Sequence, residues 1–162
     1  MNIHTLTLEE AQNINVWQYD APYELYSFTG ASETLEELLD GTYYGVRNEH
    51  NEIVGYFCFG DNAQVPGGRE AKLYTGECVV DIGLGMKPAL TGKGLGISFL
   101  QAGLQFANEQ FRPEKIRLSV AVFNERAIHL YMKAGFQKKV SFMSRGREFL
   151  LMEYDAAECR NI

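Results

Sequence analysis

The stretch Met86-Lys87-Pro88-Ala89-Leu90-Thr91-Gly92-Lys93-Gly94-Leu95-Gly96 decides how the rest of the chain is read. The apolar run before it, residues 77–86, reads as a strand, and Pro88, which has no N–H to give to a ladder, stops it. Beyond it Ile97, Leu100, Leu104, Ala107 and Phe111 recur at intervals of three and four. That spacing predicts an amphipathic helix that must end before Pro113. Between strand and helix stand Gly92, Gly94 and Gly96. Glycines let backbone N–H groups turn into one concavity with no Cβ in the way. The helix N-terminus adds unpaired N–H groups and a partial positive charge. Together they make a cradle for a pyrophosphate, to which Lys93 adds a point charge. The plainer alternative is a tight strand-to-helix turn that holds no ligand. Two other glycine motifs fail on the letters. A P-loop, GxxxxGK[ST], would need Gly at Lys87 and Ser or Thr at Gly94. A dinucleotide loop needs GxGxxG, whereas the spacing here is GxGxG.

Working outward, residues 8–17 read as a first helix with Thr7 as N-cap and Glu10 three residues on, the spacing of a capping box. Ser32 is expected to cap a short helix over 33–39. Residues 42–48 and 53–60 form a predicted hairpin, and 61–68 a loop. On the far side, Ile116, Leu118, Val120 and Val122 alternate with Arg117, Ser119 and Ala121, which is strand periodicity. Asn124 caps a helix running to Ala134, and Gly135 supplies the left-handed residue that ends it. A final hairpin, 136–143 and 147–154, turns at Ser144-Arg145-Gly146. This order predicts a mixed α/β fold in one domain, 1–162. Its central sheet is mostly antiparallel, flanked by helices, with one parallel β-α-β crossover at the glycine loop.

Composition narrows the function classes. Of 162 residues, 46% are hydrophobic and 22% charged, the balance of a globular domain. The first ten residues carry no basic segment before an apolar run, and the longest mainly apolar stretch, 53–60, is far short of a membrane span. A cytoplasmic location is the expectation, with no membrane partner. Cys58, Cys78 and Cys159 are widely spaced and odd in number, which implies neither a disulfide framework nor a zinc site. Cys58 and Cys78 fall in apolar, strand-like runs and read as packing residues. His4, His50 and His129 are scattered, and no metal is expected. The net charge of −6 is uneven: residues 1–80 hold 3 Lys/Arg and 13 Asp/Glu, residues 81–162 hold 12 and 8. An acidic half beside a basic half suits a protein that grips a phosphate-bearing molecule and meets a cationic partner; ordinary solvated surface is the bland alternative. No concentrated basic patch with interleaved aromatics points to nucleic acid.

The glycine loop resembles motif A of the GNAT superfamily of N-acetyltransferases, Q/R-x-x-G-x-G/A after a strand. Thr91 stands at the Q/R position, and Gly94 and Gly96 at the glycine positions. The segment Asn124-Glu125-Arg126-Ala127-Ile128-His129-Leu130-Tyr131-Met132-Lys133-Ala134-Gly135-Phe136 is similar to the family's motif B, N-x-x-A-x-x-L-Y-x-x-x-G-F, at every named letter. The resemblance implies an enzyme that moves an acetyl group from acetyl-CoA to an amine by direct attack in a ternary complex. It implies donor contacts from the backbone of Leu84, Gly85 and Met86, from the loop Thr91, Gly92, Lys93, Gly94, Leu95 and Gly96, and from Asn124 and Tyr131. Tyr131 would hydrogen-bond the leaving sulfur. Ser119 stands where many relatives carry a Glu base, and Asp81, four residues beyond Glu77 on the same strand face, is the expected base or substrate anchor. The acceptor would be a small-molecule or peptide amine, and a homodimer is an allowed assembly. The alternative is a catalytically idle acyl-CoA-binding module of the same fold.

Overall fold

The computed structural model describes residues 1–156, so Cys159 lies outside the described residues. The chain divides into two compact units: Met1–Cys58 with Leu84–Leu95, and Phe59–Gly83 with Gly96–Ile162. The strands stand in the sheet order β1-β2-β3-β4-β5-β7-β6. Strand β4 (Val79–Met86) is shared, passing from the second unit to the first after Gly83.

In the first unit β1 (Asn2–Thr5), β2 (Tyr43–Arg47) and β3 (Ile53–Phe59, of which Phe59 belongs to the second unit) pair antiparallel. The Lys87 N–H donates to the Val54 carbonyl at 2.8 Å, tying the chain just past β4 to β3. Helix α1 (Leu8–Asn15) carries the predicted capping box, with Thr7 Oγ1 accepting from the Glu10 N–H and the Glu10 carboxylate accepting from Thr7. Glu10 does more than close the cap. It is buried, His4 Nε2 lies 2.8 Å from its Oε2, and Arg47 Nε donates to the same oxygen at 2.9 Å. Burial pushes the Glu10 pKa up, but the Thr7 N–H and His4 outweigh it and hold the carboxyl below its ordinary value. One carboxylate thus ties β1, α1 and β2 together, beside the four-residue ladder of β1 on β2. Helix α2 (Ser32–Leu38) starts one residue earlier than predicted: Ser32 is helical, Ala31 is the N-cap, and no side chain caps it. Ile14, Leu38, Val46 and Phe57 fill this unit's interior beside a cluster of Trp17, Phe28, Tyr43 and Tyr56.

In the second unit β4 runs parallel to β5 (Lys115–Ala121), with Asp81 opposite Arg117. Strand β5 pairs antiparallel with β7 (Arg147–Asp155), and β7 with β6 (Gln137–Ser144). The hairpin between β6 and β7 closes through Arg145 and Gly146, with φ of 49° and 76°. Helix α4 (Gly96–Phe111) joins β4 to β5, and α5 (Glu125–Ala134) follows β5. Phe99, Leu100, Ala107, Ile116 and Met152 are its core. Three expectations change here. Residues 61–68 are no plain loop: a single 3-10 turn at Asp61–Ala63 precedes a short helix α3 (Pro66–Glu70), started by proline at its first turn. The Gly67 N–H donates to Ser144 Oγ at 2.9 Å, and that long-range bond holds α3 in place. Strand β4 begins at Val79, so Glu77 precedes it and does not share a strand face with Asp81. Cys78 is exposed at φ 57° rather than packed, while Cys58 is buried as predicted. Among the described residues no helix is long and apolar enough to cross a membrane.

Candidate active site

The loop after β4 is built by local chemistry. Pro88–Leu90 makes one 3-10 turn, closed by the Leu90 N–H on the Lys87 carbonyl at 2.8 Å. Thr91 turns its hydroxyl back to the Pro88 carbonyl at 2.8 Å. Its side chain therefore shapes the turn. Gly92 and Gly94 then take φ of 73° and 76°, a region that L side chains enter at a cost of roughly 1–2 kcal/mol. No atom lies within 4 Å of where a Cβ on Gly94 would stand, and residues 92–95 are exposed. Left-handed Gly92 and Gly94, with open space where a Gly94 Cβ would stand, lead into a helix of 16 residues with no acidic side chain in its first turn, a setting that favours anions. These residues fit the diphosphate of a CoA ester. Lys93 is exposed in the same loop.

Upstream, Leu84, Gly85 and Met86 form the last three residues of β4. The Tyr56 ring lies against Gly85 so closely that a Cβ there would stand 2.5 Å from Tyr56 Cε1, which explains glycine at this position. Tyr19 donates its hydroxyl to the Met86 carbonyl at 2.6 Å. Spacing along the sequence gives no hint of that contact.

In the second unit Gly96 opens α4 against α5, where a Cβ on Gly96 would lie 3.0 Å from Leu130 Cδ2. Gly96 therefore packs, within this unit, against the residue before Tyr131. Asn124 is the predicted cap of α5: its Oδ1 accepts from the Ala127 N–H at 3.2 Å. Tyr131 is 9% exposed, with its ring 5.9 Å from Phe136. Gly135 closes the helix at φ 113°, and the Phe136 N–H returns to the Tyr131 carbonyl.

Asp81 has occupations the sequence did not reveal. It is 5% exposed, its Oδ1 accepts from Arg117 Nε at 2.6 Å, and its Oδ2 accepts from Arg117 Nη2 at 2.9 Å and from Gln64 Nε2 at 2.8 Å. Arg117, also buried, sends its remaining Nη1 to the Thr75 carbonyl at 2.8 Å and stacks its guanidinium over the Tyr74 ring. Tyr74 in turn meets Ser119 Oγ at 2.6 Å, so Ser119 sits in a hydrogen-bonded pair. A bidentate, buried pair of this kind fixes β4 to β5 and to the turn at Gln64. Among the described residues no group of three or more His, Cys, Asp or Glu side chains is arranged to hold a metal ion.

Known proteins agree with this architecture. Residues 6–136 match the model of the Acetyltransferase (GNAT) family. Among solved structures the chain is similar to a chimera of the spermidine N-acetyltransferase SpeG from Vibrio cholerae and hSSAT, with a TM-score of 0.74 and 20% identity over 99% of this chain and 98% of that one. It is similar to a GNAT-family acetyltransferase from Bacillus anthracis, with a TM-score of 0.74 and 16% identity over 96% and 94%. It is also similar to the spermidine/spermine N-acetyltransferase SpeG from Vibrio cholerae in complex with manganese ions, at 0.68 and 19% over 99% and 95%. No curated protein sequence gives a significant match. The structural likenesses establish the fold, and the family match runs through both the glycine loop and the Asn124–Tyr131 turns of α5: the chain belongs to the GNAT acetyltransferase family.

Proposed function

We propose that the protein transfers the acetyl group of acetyl-CoA to a cationic amine by direct attack, with no acetylated enzyme on the way. The observation that carries this reading is the exposed loop with left-handed Gly92 and Gly94 at the start of α4. Backbone N–H groups of residues 91–96, with Lys93 beside them, bind the diphosphate of the donor. The backbone of Leu84, Gly85 and Met86 holds the pantetheine arm and offers an N–H to the charge that develops on the thioester oxygen. Asn124 keeps α5 capped and contacts the donor. The ammonium first gives one proton to solvent. The neutral amine then forms the C–N bond as the C–S bond breaks, and the electron pair leaves on sulfur. The second amine proton is lost through solvent and ends on the CoA thiol, so the leaving sulfur needs a hydrogen-bond donor meanwhile. Tyr131 supplies it. A phenol of pKa about 10 facing a thiol of about 8.5 makes full proton transfer uphill by roughly 2 kcal/mol, so Tyr131 acts chiefly by donating a hydrogen bond to the sulfur. Asp81, bound on both oxygens, serves in this reading as the positioning partner of Arg117 rather than as the base.

The choice of a cationic acceptor rests on charge. The first unit holds 3 Lys/Arg against 10 Asp/Glu. Opposite charge raises the rate of encounter, and salt screens it over about 8 Å at physiological strength. The similarity to spermidine N-acetyltransferases makes polyamines the first acceptors to try. The test is CoA release measured against a panel of amines. Polycationic acceptors should show the highest kcat/KM, and that value should fall as salt is added. A neutral or acidic amine as best substrate, without salt dependence, would refute the cationic acceptor. Tight acetyl-CoA binding with no turnover on any amine would instead support an idle acyl-CoA-binding module.

A further inference from the structure

The Met86–Lys87 peptide is fixed at both of its polar atoms within the first unit. Its carbonyl accepts from the Tyr19 hydroxyl at 2.6 Å, and its N–H donates to the Val54 carbonyl at 2.8 Å. Tyr19 is itself held: its backbone N–H donates to Ser27 Oγ at 3.0 Å, and two residues earlier Trp17 Nε1 donates to Asn13 Oδ1 at 2.7 Å. From β3, the Tyr56 ring leaves no room for a side chain at Gly85. Two tyrosines therefore pin the end of β4, the one on a neighbouring strand, the other from a segment 67 residues away in sequence.

We infer that Tyr19 is a positioning residue for the acetyl donor: its hydroxyl locks the Met86 carbonyl, so the end of β4 presents one backbone orientation to the pantetheine arm. This rests on the donor site proposed above. A peptide with no hydrogen bond on its oxygen is freer to rotate, and a binding edge that is not held in one orientation must be ordered each time the pantetheine arm docks, which weakens donor binding in the ground and transition states alike. Tyr19 prevents that rotation and directs the negative end of the peptide dipole at a donor. Burial pushes the Tyr19 pKa up to about 12, so the hydroxyl keeps its proton throughout the neutral range.

Tyr19→Phe keeps the ring and removes the bond. With amine saturating, the KM for acetyl-CoA should rise about tenfold, as expected for one lost hydrogen bond that orders a binding surface, while kcat stays within about twofold. Tyr43→Phe is the matched control. It also loses a hydroxyl bond in the first unit, to Glu37 at 2.5 Å, but not one to β4. It should lower the melting temperature comparably and leave the acetyl-CoA KM at the wild-type value. If Tyr19→Phe does not fold, Ser27→Ala frees the Tyr19 N–H and should raise the same KM in the same direction. A folded Tyr19→Phe (or, in its place, Ser27→Ala) with wild-type KM would overturn the inference, as would an equal rise in Tyr43→Phe. A wild-type protein that binds no acetyl-CoA would overturn the donor site itself, and the inference with it.

Discussion

Gly94→Val is expected to abolish the rise in melting temperature that acetyl-CoA gives the wild-type protein. A ligand that binds only the folded state stabilises it by RT ln(1 + [L]/Kd), about 2.7 kcal/mol at a hundred times Kd, so the wild-type shift should be several degrees. Gly94 stands at φ 76° with nothing within 4 Å of its missing Cβ. The Cβ of a valine therefore meets no steric block, and the loop is exposed, so the chain should still fold. Two things change. A β-branched residue in the left-handed region costs roughly 1–3 kcal/mol, which lowers the baseline melting temperature. The two methyl groups enter the space where phosphate oxygens would meet backbone N–H groups, which removes binding. The separate signatures make the experiment clean: a lower baseline reports backbone strain, and the lost shift reports the cradle. A folded variant that keeps the full acetyl-CoA shift would mean that the loop is only a turn.

Tyr131→Phe should lower kcat by roughly a hundredfold, the lower end of the range for a positioned acid or base, with little change in stability. Phenylalanine preserves the ring that packs 5.9 Å from Phe136, so the loss isolates the hydroxyl. The KM for acetyl-CoA should stay near the wild-type value, because the hydrogen bond to sulfur gains strength only as charge develops. The measurement is kcat with both substrates saturating, checked by single-turnover kinetics so that product release does not hide the chemical step. An unaltered single-turnover rate would leave Tyr131 a packing residue.

What the sequence disclosed is what local backbone geometry demands. Gly92, Gly94 and Gly135 occupy left-handed positions that almost any other residue would resist, Asn124 and Thr7 cap helices through bonds three residues away, and Arg145-Gly146 turns a hairpin within two residues. Each of these is a short-range rule, and each left its letter in the chain. The parallel β4–β5 pair followed because a strand, a helix and a strand in succession leave few other connections. The features that escaped are those whose partner is distant. Strand β1 has only four residues, and Glu10 gathers it through His4 and Arg47. Helix α3 is held by a serine 77 positions on, although Pro66 at its first turn was a signal available in the sequence. Asp81 was read from its place on a strand, while its chemistry is set by Arg117 on the neighbouring strand and by Gln64. Tyr19 meets Met86 across 67 residues, and no periodicity could connect them. Ser32 was misplaced for the opposite reason: a good capping residue is only a preference, and the helix took it in as its first residue.

The central claim, direct acetyl transfer from acetyl-CoA to an amine, is tested most directly by following CoA and acceptor together. The protein is mixed with acetyl-CoA first alone and then with a polyamine. Without acceptor, the account predicts no stoichiometric burst of CoA and no gain of an acetyl group on the protein's intact mass. With acceptor, CoA should appear in equal amount to N-acetylated amine. A burst of CoA equal to the enzyme concentration, with the acetyl group retained on the protein, would contradict direct transfer.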